Sequence, residues 1–205
     1  MARGYKGRDT YSQQAHDDGY AARSVYKLSA IDKRVRIFRQ GQRVVDLGCF
    51  PGSWSRYALE HIGPSGTLVG LDLEVPRLSG GIFFARSVYE VQASELIALL
   101  GGPADVLLSD MAQKTMGDRH VDHYAQIALA RTALGLAAQV LRPGGSFVCK
   151  VFEGEESSDF QKEAQEIFKK VRRMRPDAVR KQSREWFLVA EDRREVEALA
   201  DGEGP

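Results

Sequence analysis

The stretch VVDLGCFPGSWSRYALE, residues 44–60, restricts what this chain can fold into more than any other. An apolar run of Val44, Val45 and Leu47 carries Asp46 within it and ends on Gly48. A turn through Pro51 and Gly52 follows, and Trp54, Tyr57, Ala58 and His61 then recur at helical spacing. A strand that passes through glycines into a helix N-terminus builds a nucleotide pocket. Glycine admits the ligand to the backbone, and the unpaired first-turn N–H groups face it. A second apolar strand, LVGLDLE (68–74), reaches Asp72 about 24 residues after Gly48. A ribose-binding acid falls roughly there, about 20 residues on. The glycines do not match GxGxxG, because Phe50 and Pro51 occupy the turn. An adenosine cofactor is indicated, with S-adenosylmethionine and NAD both open.

The rest of the chain alternates. The spacing predicts a helix from Ala21, with Ala22, Val25, Tyr26, Ser29 and Ala30 on one face. Strands are predicted at 43–47, 67–72, 82–86, 105–109 and 146–152, and helices at 53–61, 92–100, 121–141 and 158–170. Arg142-Pro143-Gly144-Gly145 reads as the stop of the long helix. Strands near 171–175 and 185–190 read as a hairpin. Repeated βα units imply an α/β fold with a mostly parallel sheet covered on both faces, and the hairpin adds an antiparallel edge. The expected organisation is a basic arm over 1–20 with little structure of its own, one domain over 21–197 and a frayed tail over 198–205. No apolar run approaches the ~20 residues of a membrane span. The N-terminus has no signal-peptide core, and Cys49 and Cys149 make no disulfide framework. A cytoplasmic protein with reduced thiols and no membrane partner is expected.

The net charge of +1 conceals a division. Residues 1–43 hold ten Lys/Arg against four Asp/Glu, and residues 162–184 hold nine against three, so each segment carries +6. The remainder carries ten against twenty-one, or −11. Two concentrated basic segments on an acidic body suit a polyanion-binding face. If both flank one groove, Lys33, Arg34 and Arg36 and, from the other segment, Arg172, Arg173 and Arg175 should contact phosphates.

Ligands of such a sheet bind at the carboxyl ends of its strands. Four of those ends carry suitable chemistry: Gly48–Gly52, Asp72, Asp110 in LLSDMA and Lys150 in FVCKVF. Lys150 stands between Val148 and Val151, where an unpaired ammonium is expensive, so it must have a partner or a task. His120 and His123 have the spacing of a metal pair, but no third ligand lies near in sequence, and no metal is expected.

These segments together resemble the FtsJ/RrmJ family of RNA 2′-O-ribose methyltransferases. The resemblance rests on RSVYKL (23–28), VVDLGCFPGSWS (44–55), LDLE (71–74), SDMA (109–112), PGGSFVCKVFEGE (143–155) and SREWFLVA (183–190). It implies a Rossmann-like methyltransferase fold, with a seven-stranded, mostly parallel sheet and an antiparallel C-terminal hairpin. It also implies S-adenosyl-L-methionine as cofactor and a Lys-Asp-Lys-Glu tetrad, here Lys27, Asp110, Lys150 and Glu185. Lys150 would be the base that takes the 2′-hydroxyl proton, and Lys27 its tuner and an RNA contact. Asp110 and Glu185 would orient the amines. A lysine acts as base only when neutral, and a free lysine has a pKa of ~10.4. Desolvation and a neighbouring cation both favour the neutral form.

By motif, cofactor contacts fall at Gly48, at Gly52 and Trp54 near the methionine end, at Asp72 on the ribose and at Asp110 beside the amino group. Ser87 stands where the family usually places an acid near the adenine. Gln113 and Lys114 also depart from the family pattern. The implied substrate is a uridine of 23S ribosomal RNA, within the large ribosomal subunit, methylated by a monomer. The alternatives are a tRNA 2′-O-methyltransferase and a non-catalytic RNA chaperone or ribosome assembly factor on the same fold.

Overall fold

The computed structural model describes residues 10–113, 116–180 and 182–195. The first nine residues of the expected arm, Lys114 and the tail over 198–205 lie outside the described residues. Strands β1 (Arg43–Leu47), β2 (Thr67–Asp72), β3 (Ile82–Ala85), β4 (Ala104–Ser109), β5 (Leu141–Phe152), β6 (Phe168–Met174) and β7 (Glu185–Arg193) form one seven-stranded sheet. Its order is β3-β2-β1-β4-β5-β7-β6. The first five strands pair in parallel, and β7 runs antiparallel to both β5 and β6. β1 pairs with β2 on one side and β4 on the other, so the strand order reverses there and a crevice opens at the carboxyl ends.

Alternation along the strands sends side chains to two cores. Val44, Leu68, Leu108, Val148 and Phe187 pack against α2 (Val25–Val35) and α3 (Ser53–Ile62). Val45, Leu71, Leu107, Cys149 and Leu188 pack against α4 (Ala93–Leu100), α5 (Arg119–Val140) and α6 (Ser157–Ile167). Among the described residues no helix is long and apolar enough to cross a membrane.

Several boundaries differ from the sequence reading, each for a local reason. The Arg-Pro-Gly-Gly run ends α5 at Val140 but does not delay the next strand. Leu141 already pairs with Ala104, and Ser146 pairs with Val106, so 142–145 form a bulge facing Asp105. Arg142 Nε reaches the Asp105 carboxylate at 2.6 Å and holds the bulge in place. α6 passes directly into β6, which begins at Phe168 because Phe168 is buried against Phe147, with 6.1 Å between ring centroids.

The polar segment before α2 is not without structure: Thr10–Asp17 form helix α1. Ala15 is buried, and the Tyr11 ring lies 5.7 Å from that of Tyr26. Just beyond, Tyr20 donates to Glu60 at 2.6 Å, and Arg56 lies 4.9 Å above the Tyr20 ring. Tyrosines in a polar stretch thus act as anchors. Residues 22–24, predicted as helix, instead serve α3. Ala22 N–H donates to Ser53 Oγ at 2.7 Å, and Trp54 Nε1–H donates to the Ser24 carbonyl at 2.9 Å.

Trp54 is buried in the core between α2 and α3. Trp54→Phe would keep most of the packing but leave the Ser24 carbonyl without this donor. Thermal or urea unfolding should show a loss of about 1–3 kcal/mol. A stability equal to wild type would mean that the bond contributes nothing.

Candidate active site

Two cavities of opposite character open at the carboxyl ends of the strands. The first, about 460 Å³, lies over the ends of β1, β2 and β4 and is lined by Gly48, Asp72, Ser87 and Asp110 together with Leu73, Val88 and Met111. Gly48 has φ +81°, and a Cβ there would stand 2.8 Å from the Met111 backbone nitrogen, so only glycine fits. Asp72 closes the turn from below: Oδ2 accepts from Phe50 N–H at 3.0 Å and Oδ1 from Leu73 N–H at 2.6 Å. Ser87 caps a short 3₁₀ turn (Val88–Glu90) through a long 3.4 Å bond to Tyr89 N–H. Arg86 also lines the cavity, but its guanidinium is paired with Glu95 at 2.6 Å.

The second cavity, about 410 Å³, is lined by Arg23, Lys27, Arg180, Gln182, Ser183 and Glu185. Burial and the nearby Arg180 both press the Arg23 pKa down, against the pull of Glu185. Like charges therefore converge on this space. Arg175 builds part of its wall by donating to the carbonyls of Ser183 at 2.6 Å, Glu185 at 3.1 Å and Arg180 at 3.3 Å.

Of the expected tetrad, Asp110 lines the first cavity and Lys27 and Glu185 line the second, while Lys150 contacts Asp110. Lys150 is 6% exposed; its ammonium lies 3.0 Å from Asp110 Oδ1 and donates to the Asp110 carbonyl at 2.5 Å. Lys27 Nζ lies 2.6 Å from Glu185 Oε1 and 5.8 Å from the centroid of the Phe187 ring. Phe187 is the cross-strand partner of Lys150, so the two lysines flank one aromatic ring. The two ion pairs, from α2, β4, β5 and β7, are thereby brought onto one patch of the sheet.

Not every expected contact is brought to the first cavity. Trp54 and Gly52 do not line it. Trp54 faces Phe187 with ring centroids 5.8 Å apart, and Gly52, at φ +108°, packs against Pro76. The basic segments also divide. Arg172 is paired with Glu191 at 2.6 Å, and Arg173 with Glu153 at 3.2 Å while lying 4.4 Å over the Trp186 ring. Arg36 lies with Arg142 and Ser146 at the opposite end of the sheet. The site draws on Arg23 and Lys27 from one segment and Arg180 from the other.

Asp46 was not singled out by its motif, yet it is fully buried beneath this site. Its Oδ2 accepts from Ser55 Oγ at 2.5 Å, and its Oδ1 has no partner. Burial pushes its pKa up to about 7; the Ser55 bond opposes this, and Asp110 and Asp72 add to it. A charged residue within an apolar strand was the available signal.

The family model of FtsJ-like methyltransferases matches residues 20–193. The chain is 44% identical over 185 residues to a protein from Desulfatibacillum aliphaticivorans named ribosomal RNA large subunit methyltransferase E, covering 89% of each. A protein of the same name from Methanothrix thermoacetophila is 43% identical over 191 residues, covering 92% of this chain and 73% of that one. The crystal structure of a ribosomal RNA methyltransferase from Plasmodium falciparum superposes with a TM-score of 0.76 at 22% identity, over 85% of this chain and 98% of that one. The fold is a Rossmann-like methyltransferase fold. The chain belongs to the FtsJ-like methyltransferase family.

The raised pKa of Asp46 has a defined sign. Its carboxyl titrates near 3.9 when unfolded and at about 7 when folded, so the folded state holds the extra proton in between. Stability falls as pH rises through that window and stays lower above it. Asp46→Asn removes the titration. The wild type should therefore lose stability relative to the variant between about pH 4 and pH 7. Parallel stability curves across that range would refute the buried charge.

Proposed function

We propose that the protein transfers a methyl group from S-adenosyl-L-methionine to a ribose 2′-hydroxyl of large-subunit ribosomal RNA. The observation that carries this reading is an acid-lined cavity and a basic one linked through two lysine–carboxylate pairs that flank Phe187. The first cavity bears Asp72 and Asp110, and the guanidinium of Arg86 in its wall is neutralised by Glu95. Such a site suits a cationic sulfonium and repels the pyrophosphate of NAD. The second bears Arg23, Lys27 and Arg180 and suits a polyanion. The names of the relatives from Desulfatibacillum and Methanothrix support ribosomal RNA of the large subunit over tRNA. A uridine target is the narrower form of the reading. The paired lysines favour an enzyme over a chaperone, which needs no buried amines. In this reading the protein works as a monomer beside ribosomes in the cytoplasm.

The residues present fit the cofactor. Gly48 lets the chain close on it, Asp72 can accept from ribose hydroxyls, and Leu73, Val88 and Met111 offer apolar surface to an adenine edged by Ser87. Asp110 is placed to hold a positively charged amino group. Gly52 and Trp54 act one step removed, by setting the turn and tying it to the segment that leads into α2. When bound, the cofactor supplies an electrophilic methyl group.

The chain's own task is to bring a hydroxyl into line and remove its proton. Lys150, held by Asp110, is the base, acting from its unprotonated form. Lys27, held by Glu185, contacts the RNA backbone and adds positive charge beside Lys150. The methyltransferase domain over 21–197 then contains every residue of the reaction.

Incubation with labelled cofactor and large-subunit ribosomal RNA or particles, followed by mapping of ribose methylation, tests the reading. Lys150→Ala and Lys150→Arg should both abolish transfer and leave cofactor affinity near wild type, since a guanidinium stays protonated. More than about a tenth of wild-type turnover in either, a change of only ~1.4 kcal/mol, would place the base elsewhere. Ser87→Asp should tighten cofactor binding in calorimetry by adding an acceptor at the adenine edge. Unchanged or weaker binding would remove Ser87 from the adenine site.

A further inference from the structure

Beyond the basic cavity lies a smaller one of about 200 Å³, at the end of β5 and the start of α5. Phe152, Asp122, Gln182, Arg119 and Arg184 line it. It adjoins the basic cavity, since Gln182 and Ser183 line both. Phe152 is also the cross-strand partner of Glu185, so the two side chains leave the same face of the sheet with Cβ atoms about 5 Å apart. A strand of RNA whose ribose lies between Lys27 and Lys150 must therefore pass this opening on one side.

We propose that the small cavity takes one nucleobase of the RNA, that of a nucleotide flanking the methylated ribose, and that it selects a base bearing an exocyclic amino group over uracil. The inference rests on the functional reading above. A partly exposed aromatic ring offers the stacking surface on which splayed bases of single-stranded RNA settle. Stacking alone is indifferent to sequence, so the choice falls to the polar edges. Asp122 is an acceptor with one oxygen already engaged by Met116 N–H at 2.7 Å, which fixes the carboxylate in place. A carboxylate accepts from the amino group of cytosine and meets only an acceptor at the matching position of uracil. Gln182 can donate or accept beside it. Arg119 and Arg184 bring positive charge to the cavity for the adjoining phosphates, and Arg184 is held by the Glu153 carbonyl.

The wall is built in advance of any ligand. His123 is buried, its Nε2 accepting from Glu156 N–H at 3.1 Å and its Nδ1–H donating to the Phe152 carbonyl at 3.2 Å. Gly154 is packed so closely that a Cβ there would lie 2.4 Å from the imidazole. The end of β5 and the first turn of α5 are thereby locked to each other. A rigid slot loses little freedom on binding and can discriminate between bases of the same size.

Binding of labelled 12-residue oligocytidine and oligouridine, at one salt concentration, tests the inference with the full chain. Wild type should bind oligocytidine more tightly, by about fivefold or more. Phe152→Leu should weaken both by about fivefold or more, whereas Phe152→Tyr should retain both. Asp122→Asn, whose carbonyl still accepts from Met116, should erase the preference. Cofactor affinity should be unchanged in all three variants. Equal binding of the two oligomers by wild type, or wild-type binding by Phe152→Leu, would overturn this subsite alone. A wild type that binds neither oligomer and methylates no ribosomal RNA would instead overturn the functional reading beneath it.

Discussion

The ion pair between Lys150 and Asp110 joins the tips of β5 and β4, and the arrangement of the site depends on it. An ammonium this deep in an apolar strand would cost several kcal/mol if left alone. The neighbouring strand supplies a carboxylate and a carbonyl within hydrogen-bond reach. That solution engages the ammonium on the side of β4, while on the other side Phe187, the cross-strand partner of Lys150, has its ring centroid 5.8 Å from Lys27 Nζ. The second pair, Lys27 with Glu185, repeats the device across elements far apart in sequence. Each lysine is thus held by its own acid, and neither acid is free to quench both.

The charge pattern follows from the same placement. Asp110 belongs to the wall of the cofactor-sized cavity, and Glu185 and Lys27 to the wall of the basic one. Under the proposed function, a positively charged methyl donor and a negatively charged acceptor strand would each meet a complementary field. Arrangement, more than net charge, does this. The chain as a whole carries only +1. Many of its arginines, such as Arg172 and Arg173, are occupied by carboxylates of neighbouring strands or loops.

Much of this was legible in the sequence because the signals were local. The strand–turn–helix at 43–62, the acid at the end of β2 and the charged residues at the ends of β4 and β5 all follow from periodicity and from the cost of burying charge. The cost of burial that marks Lys150 applies to Asp46, which sits in an equally apolar run beside the glycine turn. What local signals could not convey was direction. α2 begins at the site with Lys27 and ends at the far end of the sheet with Arg36, so a charge count over 1–43 merges two opposite surfaces. Likewise 162–184 contains β6, whose arginines pair along the sheet, and the loop that carries Arg180 to the site. The run 142–145 reads in sequence only as a helix stop, because the bulge's partner, Asp105, is distant in sequence.

The clamp between the start of α3 and the segment before α2 gives Trp54 and Ser53 a structural task away from the first cavity. Ser53 and Trp54 are the first two residues of α3, directly after Gly52. Through Ala22 and Ser24 they hold the chain just ahead of Lys27, with one hydrogen bond each. Lys27 comes from a helix outside the sheet, so nothing in the strand register fixes its position. These two bonds and the pair with Glu185 do so from opposite ends of its side chain and backbone. The Gly48–Gly52 turn and Lys27 are therefore parts of one rigid unit. A shift in the turn at Gly48–Gly52 would be felt at Lys27 before it was felt at Lys150, which is anchored independently through β4.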